Sequence, residues 1–101
     1  MKHQIELLSN VTTTIDGEWT DLRGVGDGTT LCTAYLGGGG GTASVNIETR
    51  MLGGPPTLQV TFTLSGANDN ARYIIDRENW PQIRARVTSI SGAVVNSAIG
   101  I

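Results

Sequence analysis

The 101-residue chain holds one histidine and one cysteine, so nucleophilic or metal chemistry has few places to reside. His3 stands at the start of the chain, where a Ser–His–Asp arrangement would lack the rigid support that orients its base. Cys32 lies in the strand-like run Thr29–Leu36 with no histidine or cationic neighbour, and is read as a small buried residue rather than a reactive thiol. Asp16, Glu18, Asp21 and Asp27 bring oxygen ligands into one loop-rich stretch, but without the alternating spacing of a calcium loop. Residues 24–28, Gly-Val-Gly-Asp-Gly, have the composition of a nucleotide loop, yet they open no helix whose N-terminus could hold a phosphate. No catalytic residue, metal site or cofactor is expected, and the chain is not read as an enzyme.

The arginines and tryptophans have more to offer. Arg84 and Arg86 project from one face of one strand, and Arg72 and Arg77 flank the strand before it, so four guanidinium groups are expected to share a region. Local pairing with Asp76, Glu78 or Glu48 is one use for them; bidentate contact with a partner's carboxylates or with an anionic ligand is another. Trp19 and Trp80 suit a lid over the end of a sandwich, an interface anchor or a stacking platform. Trp19, Ile74, Trp80, Arg84, Arg86 and Val95 are therefore the candidate interface residues.

The elements that must carry these residues are strands. No window shows the apolar spacing of an amphipathic helix, whereas alternation of period two recurs. In residues 57–64 it sets Leu58, Val60, Phe62 and Leu64 against Gln59, Thr61 and Thr63. In Thr42–Arg50 it buries Ala43, Val45 and Ile47 and exposes Ser44, Asn46 and Glu48; in residues 82–88 it buries Ile83, Ala85 and Val87. Weaker strands are read at residues 4–8 and 11–15 (one strand bent at Ser9-Asn10), 29–36, 72–76 and 93–101. Turn clusters divide them: the five glycines 37–41 read as a side-chain-free hairpin tip or as backbone lying against a neighbouring chain, and Pro55-Pro56 as a strand boundary or a protected sheet edge. Seven or eight short strands without helices predict an all-β, two-sheet antiparallel sandwich, jelly-roll-like, in a single domain over residues 1–101.

Charge and hydropathy exclude further classes. Seven basic against nine acidic residues give a formal net charge of −2, which argues against nucleic acid or an anionic membrane as partner. No apolar run approaches the roughly 20 residues of a membrane helix. Glu6 interrupts the only early apolar stretch, so synthesis in a host cytoplasm without a signal peptide is expected.

Residues 42–50 (TASVNIETR), 59–66 (QVTFTLSG) and 80–92 (WPQIRARVTSISG) together resemble the small β-sandwich structural proteins of tailed bacteriophages. That resemblance implies a virion part: above all a capsid decoration (cement) protein that binds the major capsid protein on the outside of the shell, often as a trimer. A tail, connector or fibre-associated protein is the alternative within it. The matching positions are strand and turn positions, so no functional residue is carried over. From a different class, a carbohydrate-binding module would need Trp19, Trp80 or Tyr35 as an exposed platform. Apolar groups on both faces of residues 31–36, 73–75 and 94–95 predict a patch that self-association would cover, with a trimer implied by the resemblance.

Overall fold

A computed structural model describes residues 4–23, 28–76 and 80–101; His3, Asp27, most of the glycine loop, Arg77 and Glu78 lie outside the described residues. Among the described residues there is no α-helix, and nine strands form: β1 (Gln4–Val11), β2 (Ile15–Asp16), β3 (Thr20–Asp21), β4 (Thr29–Leu36), β5 (Thr42–Arg50), β6 (Thr57–Ser65), β7 (Asn70–Asp76), β8 (Gln82–Ser91) and β9 (Val95–Gly100). One sheet has the order β1-β9-β4-β7; the other has β2-β8-β5-β6, with β3 also paired to β8. All pairings are antiparallel. Because β2 and β3 pair with β8 in turn, they act as one interrupted strand, which leaves four strand positions in each sheet. Successive positions alternate between sheets except at the β5–β6 hairpin, and the first and last strands are neighbours. This is the winding of a jelly roll.

The two sheets share one core. Val45, Ile47, Phe62, Leu64, Ile83, Ala85 and Val87 from one sheet face Leu8, Cys32, Ala34, Leu36, Ile75, Val95 and Ile99 from the other. The shortest dimension of the molecule is 17 Å, against 37 and 31 Å in the sheet plane. Two sheets stacked about 10 Å apart with outward side chains account for that thickness.

Three expectations are corrected. Leu58 was placed in the core by parity with Val60, yet it is 55% exposed. A register shift sets Ile47 opposite Val60 but Glu48 opposite Leu58, and the extra residue of this bulge turns Leu58 outward. The first strand runs to Val11, bent by two register shifts and by Asn10 at φ 50°, and the following apolar residue, Ile15, belongs to the other sheet. Residues 37–41 are a crossover between sheets rather than a hairpin tip. Gly37 N–H donates to the Val94 carbonyl and Gly66 N–H to the Gly41 carbonyl, each at 2.9 Å. Gly41 has φ +91°, and a Cβ there would run into the Gly92 carbonyl, so glycine is required where these backbones meet.

Candidate functional site: the two outer faces

The outer face of the five-stranded sheet is a closed polar network. Across the β5–β8 ladder Asn46 stands opposite Arg86, Glu48 opposite Arg84 and Arg50 opposite Gln82. Arg84 Nε donates to Glu48 Oε1 at 2.7 Å, and Arg50 Nε donates to Gln82 Oε1 at 2.7 Å. Arg86 Nε lies 2.6 Å from Asp16 Oδ1, with its Nη1 3.9 Å from Glu48 Oε2. The segment between β2 and β3 lays Trp19 over this array, its ring centroid 4.2 Å from the Arg50 guanidinium carbon and 4.5 Å from that of Arg84. Glu48, expected to be exposed, is therefore buried beneath its neighbours. Arg84 is held between Glu48 and the Trp19 ring, and Arg86, whose side chain is 44% exposed, pairs with Asp16. The region of four guanidiniums does not form, because Arg72 lies on the opposite sheet; Arg77 lies outside the described residues.

The outer face of the four-stranded sheet has another character. Strand pairing arranges its side chains in rows across β7, β4, β9 and β1. One row is Asn70, Tyr35 and Asn96; the next is Arg72, Thr33, Ala98 and Glu6; the third is Ile74, Leu31, Gly100 and Gln4. Tyr35 is 46% exposed and Ile74 62%, while Ala98 is buried between taller neighbours. Depressions of about 390 and 90 Å³ flank Tyr35, the larger toward Asn70 and Arg72, the smaller toward Asn96 and Glu6. Thr33 Oγ1 donates to the Ala98 carbonyl at 3.1 Å, tying the two central strands together beneath the surface.

The remaining candidates separate by parity. Ile74 is exposed, but Ile75, its neighbour in β7, is buried. Val95 is fully buried in the shared core, so its candidacy as an interface residue is withdrawn; Val94 is half-buried. Trp80 is half-buried ahead of β8. Cys32 is fully buried, and that burial pushes its thiol pKa up to about 12, the reverse of what a nucleophile needs. Asp21 accepts hydrogen bonds from the Arg23 side chain and backbone, which hold its pKa down at about 2. Asp16 and Asp21 thus have arginine partners, and among the described residues no three His, Cys, Asp or Glu side chains converge as metal ligands.

Among the described residues, neither outer face carries convergent acid, base and nucleophile groups. The fold and its faces define a jelly-roll β-sandwich with one self-satisfied face and one open face. The same architecture occurs in solved structures of prophage proteins. The SPBc2 prophage-derived protein YomS is similar over 98% of this chain and 91% of its own, with TM-score 0.70 and 14% identity. The PBSX exported protein XepA is similar over 99% of this chain but 37% of its own, with TM-score 0.76 and 13% identity. The neighbours in structure are thus phage β-proteins, in keeping with the resemblance read from the sequence. No protein-family model matches the chain, and no curated protein sequence matches it.

Proposed function

We propose that the chain is a non-enzymatic structural protein of a phage particle, and that it decorates the capsid by attaching to the major capsid protein from outside. The observation that carries this reading is the likeness of the whole chain to prophage proteins, one of which it matches almost end to end. A face still open, with apolar and aromatic groups at its centre and charges only at its edges, suits a part that works by adding interface area. A tail or connector position remains the alternative within the particle. The carbohydrate reading is weakened at Trp19, on whose ring two arginines stack, and at the half-buried Trp80, and retains Tyr35.

The test is cosedimentation of the purified protein with mature capsids, with isolated tails and with neither. Decoration predicts saturable binding to capsids alone. Binding to tails alone would move the assignment within the particle. XepA is described as an exported protein, which favours a second reading as a product released by the lysogen; recovery only in the particle-free supernatant of an induced culture would support that reading and overturn decoration.

A further inference from the structure

The open face of the four-stranded sheet is complementary to itself. Its middle row, in the order β7-β4-β9-β1, reads Arg72, Thr33, Ala98, Glu6. A positive charge stands at one edge and a negative charge at the other, about 14 Å apart at roughly 4.8 Å per strand. Both residues are exposed, and among the described residues neither forms an ion pair, whereas Arg23, Arg84 and Arg86 all do. Side-chain size at the two central strands follows the same polarity as charge. The β4–β7 half carries Tyr35, Leu31 and Ile74, and the β9 strand beside it carries Ala98 and Gly100. Large side chains on β4 thus stand beside small ones on β9, while the larger depression lies on the β4–β7 half, between Tyr35, Asn70 and Arg72.

We infer that two copies of this chain pair face to face through the four-stranded sheet, about a two-fold axis that runs along the strands between β4 and β9. Such an axis reverses the order β7-β4-β9-β1, so each residue meets the one an equal distance on the other side of the centre. Arg72 then lies over the second copy's Glu6, and Glu6 over the second copy's Arg72. Leu31 enters the hollow above Gly100, Thr33 meets Ala98, and Tyr35 meets Asn96. The strands of the two sheets stay aligned, the commoner arrangement for stacked sheets. An isologous contact demands that one patch match its own rotated copy in both charge and shape. Here charge and side-chain size match about the same axis, Arg72 against Glu6 and Leu31 against Gly100, with Leu31 and Tyr35 inside and the charges at the rim.

Sedimentation equilibrium of the full chain tests the pairing. The expected species at high micromolar concentration has twice the monomer mass of 10.6 kDa. Arg72→Glu and Glu6→Arg each set like charges opposite one another at both ends of the contact, and each is expected to weaken association at least about tenfold. The double variant R72E/E6R restores complementarity and should recover the dimer. Gly100→Phe fills the hollow from a position with room for a side chain, since the nearest heavy atom to an added Cβ is Leu31 Cβ at 3.9 Å; it should give a folded monomer, checked by circular dichroism. A monomer at every concentration, a trimer, a dimer indifferent to the single swaps, or a double swap that fails to re-pair would each overturn the inference. The pairing is read on isolated protein, so it can fail while capsids are still decorated, and it can hold when they are not.

Discussion

The two outer faces cover the same core and are made in the same way, from alternate residues of antiparallel strands, yet they hold their polar groups in opposite states. On the five-stranded face Arg84 meets Glu48, Arg86 meets Asp16 and Arg50 meets Gln82 at hydrogen-bond or ion-pair distance, with Trp19 stacked on Arg50 and Arg84. On the four-stranded face Glu6 and Arg72 stand at opposite edges with Thr33 and Ala98 between them, and Ile74, Tyr35 and Leu31 rise toward water. The difference teaches where a partner can still gain free energy. Groups that already satisfy one another would have to exchange good contacts for equal ones. Exposed apolar surface and unpaired edge charges still have water to lose and partners to find. Arginine-rich surfaces invite reading as docking sites; in this molecule Arg50, Arg84 and Arg86 build structure, and the plainer face is the open one.

The largest break in that comparison comes from beneath both faces. Phe62 is 4% exposed and pairs with Val45 at the centre of the shared core, so Phe62→Ala should cost about 3–5 kcal/mol and lower the melting temperature by well over ten degrees. A shift of only a few degrees would show that the sheets do not rely on a common floor. Glu48→Ala comes next. It strands Arg84, whose side chain is 14% exposed, under Trp19, and should cost about 2–4 kcal/mol in denaturant titration. Replacing both members with leucine should recover most of that loss, since the penalty lies in the uncompensated charge. On the open face the same measurement should barely respond: Tyr35→Ser and Ile74→Thr are expected within about 0.5 kcal/mol of the parent monomer. A large loss from either would mean that this face is also structural.

The smallest effect at neutral pH concerns Cys32. Its folded-state pKa of about 12 lies above the ordinary value of 9.0, so the thiol adds nothing to the pH dependence of stability below pH 9. As pH rises from there toward 12, the unfolded chain releases the thiol proton while the folded chain retains it, and stability falls. Cys32→Ala should flatten that alkaline slope, and native protein should resist thiol alkylation at pH 8. Rapid labelling of the folded state would contradict the burial on which this rests.

The sequence determined what local pattern can determine. Period-two alternation placed Val45, Ile47, Phe62, Leu64, Ile83 and Val87 on inward faces, turn residues bounded the strands, and the absence of helical spacing left a two-sheet sandwich as the answer. A resemblance carried by three strand segments pointed to phage β-proteins, and the neighbours in structure agree. What the sequence could not hold was anything set by a register or by the crossing of a sheet boundary. One extra residue in β6 turned Leu58 outward, because a single-residue shift exchanges the two faces of a strand. Arg72 and Arg84, twelve positions apart, ended on opposite sides of the molecule because the chain changes sheets between β7 and β8. Glu48 was buried by Trp19 and Arg84, from strands that meet it only in the folded molecule. The row that joins Glu6 to Arg72 spans four strands drawn from β1, β9, β4 and β7, an order only the jelly-roll winding creates. Side-chain alternation is a property of consecutive residues and is written along the chain; which alternating strands become neighbours is settled by the burial of the whole core, and the two faces acquire their different characters at that step.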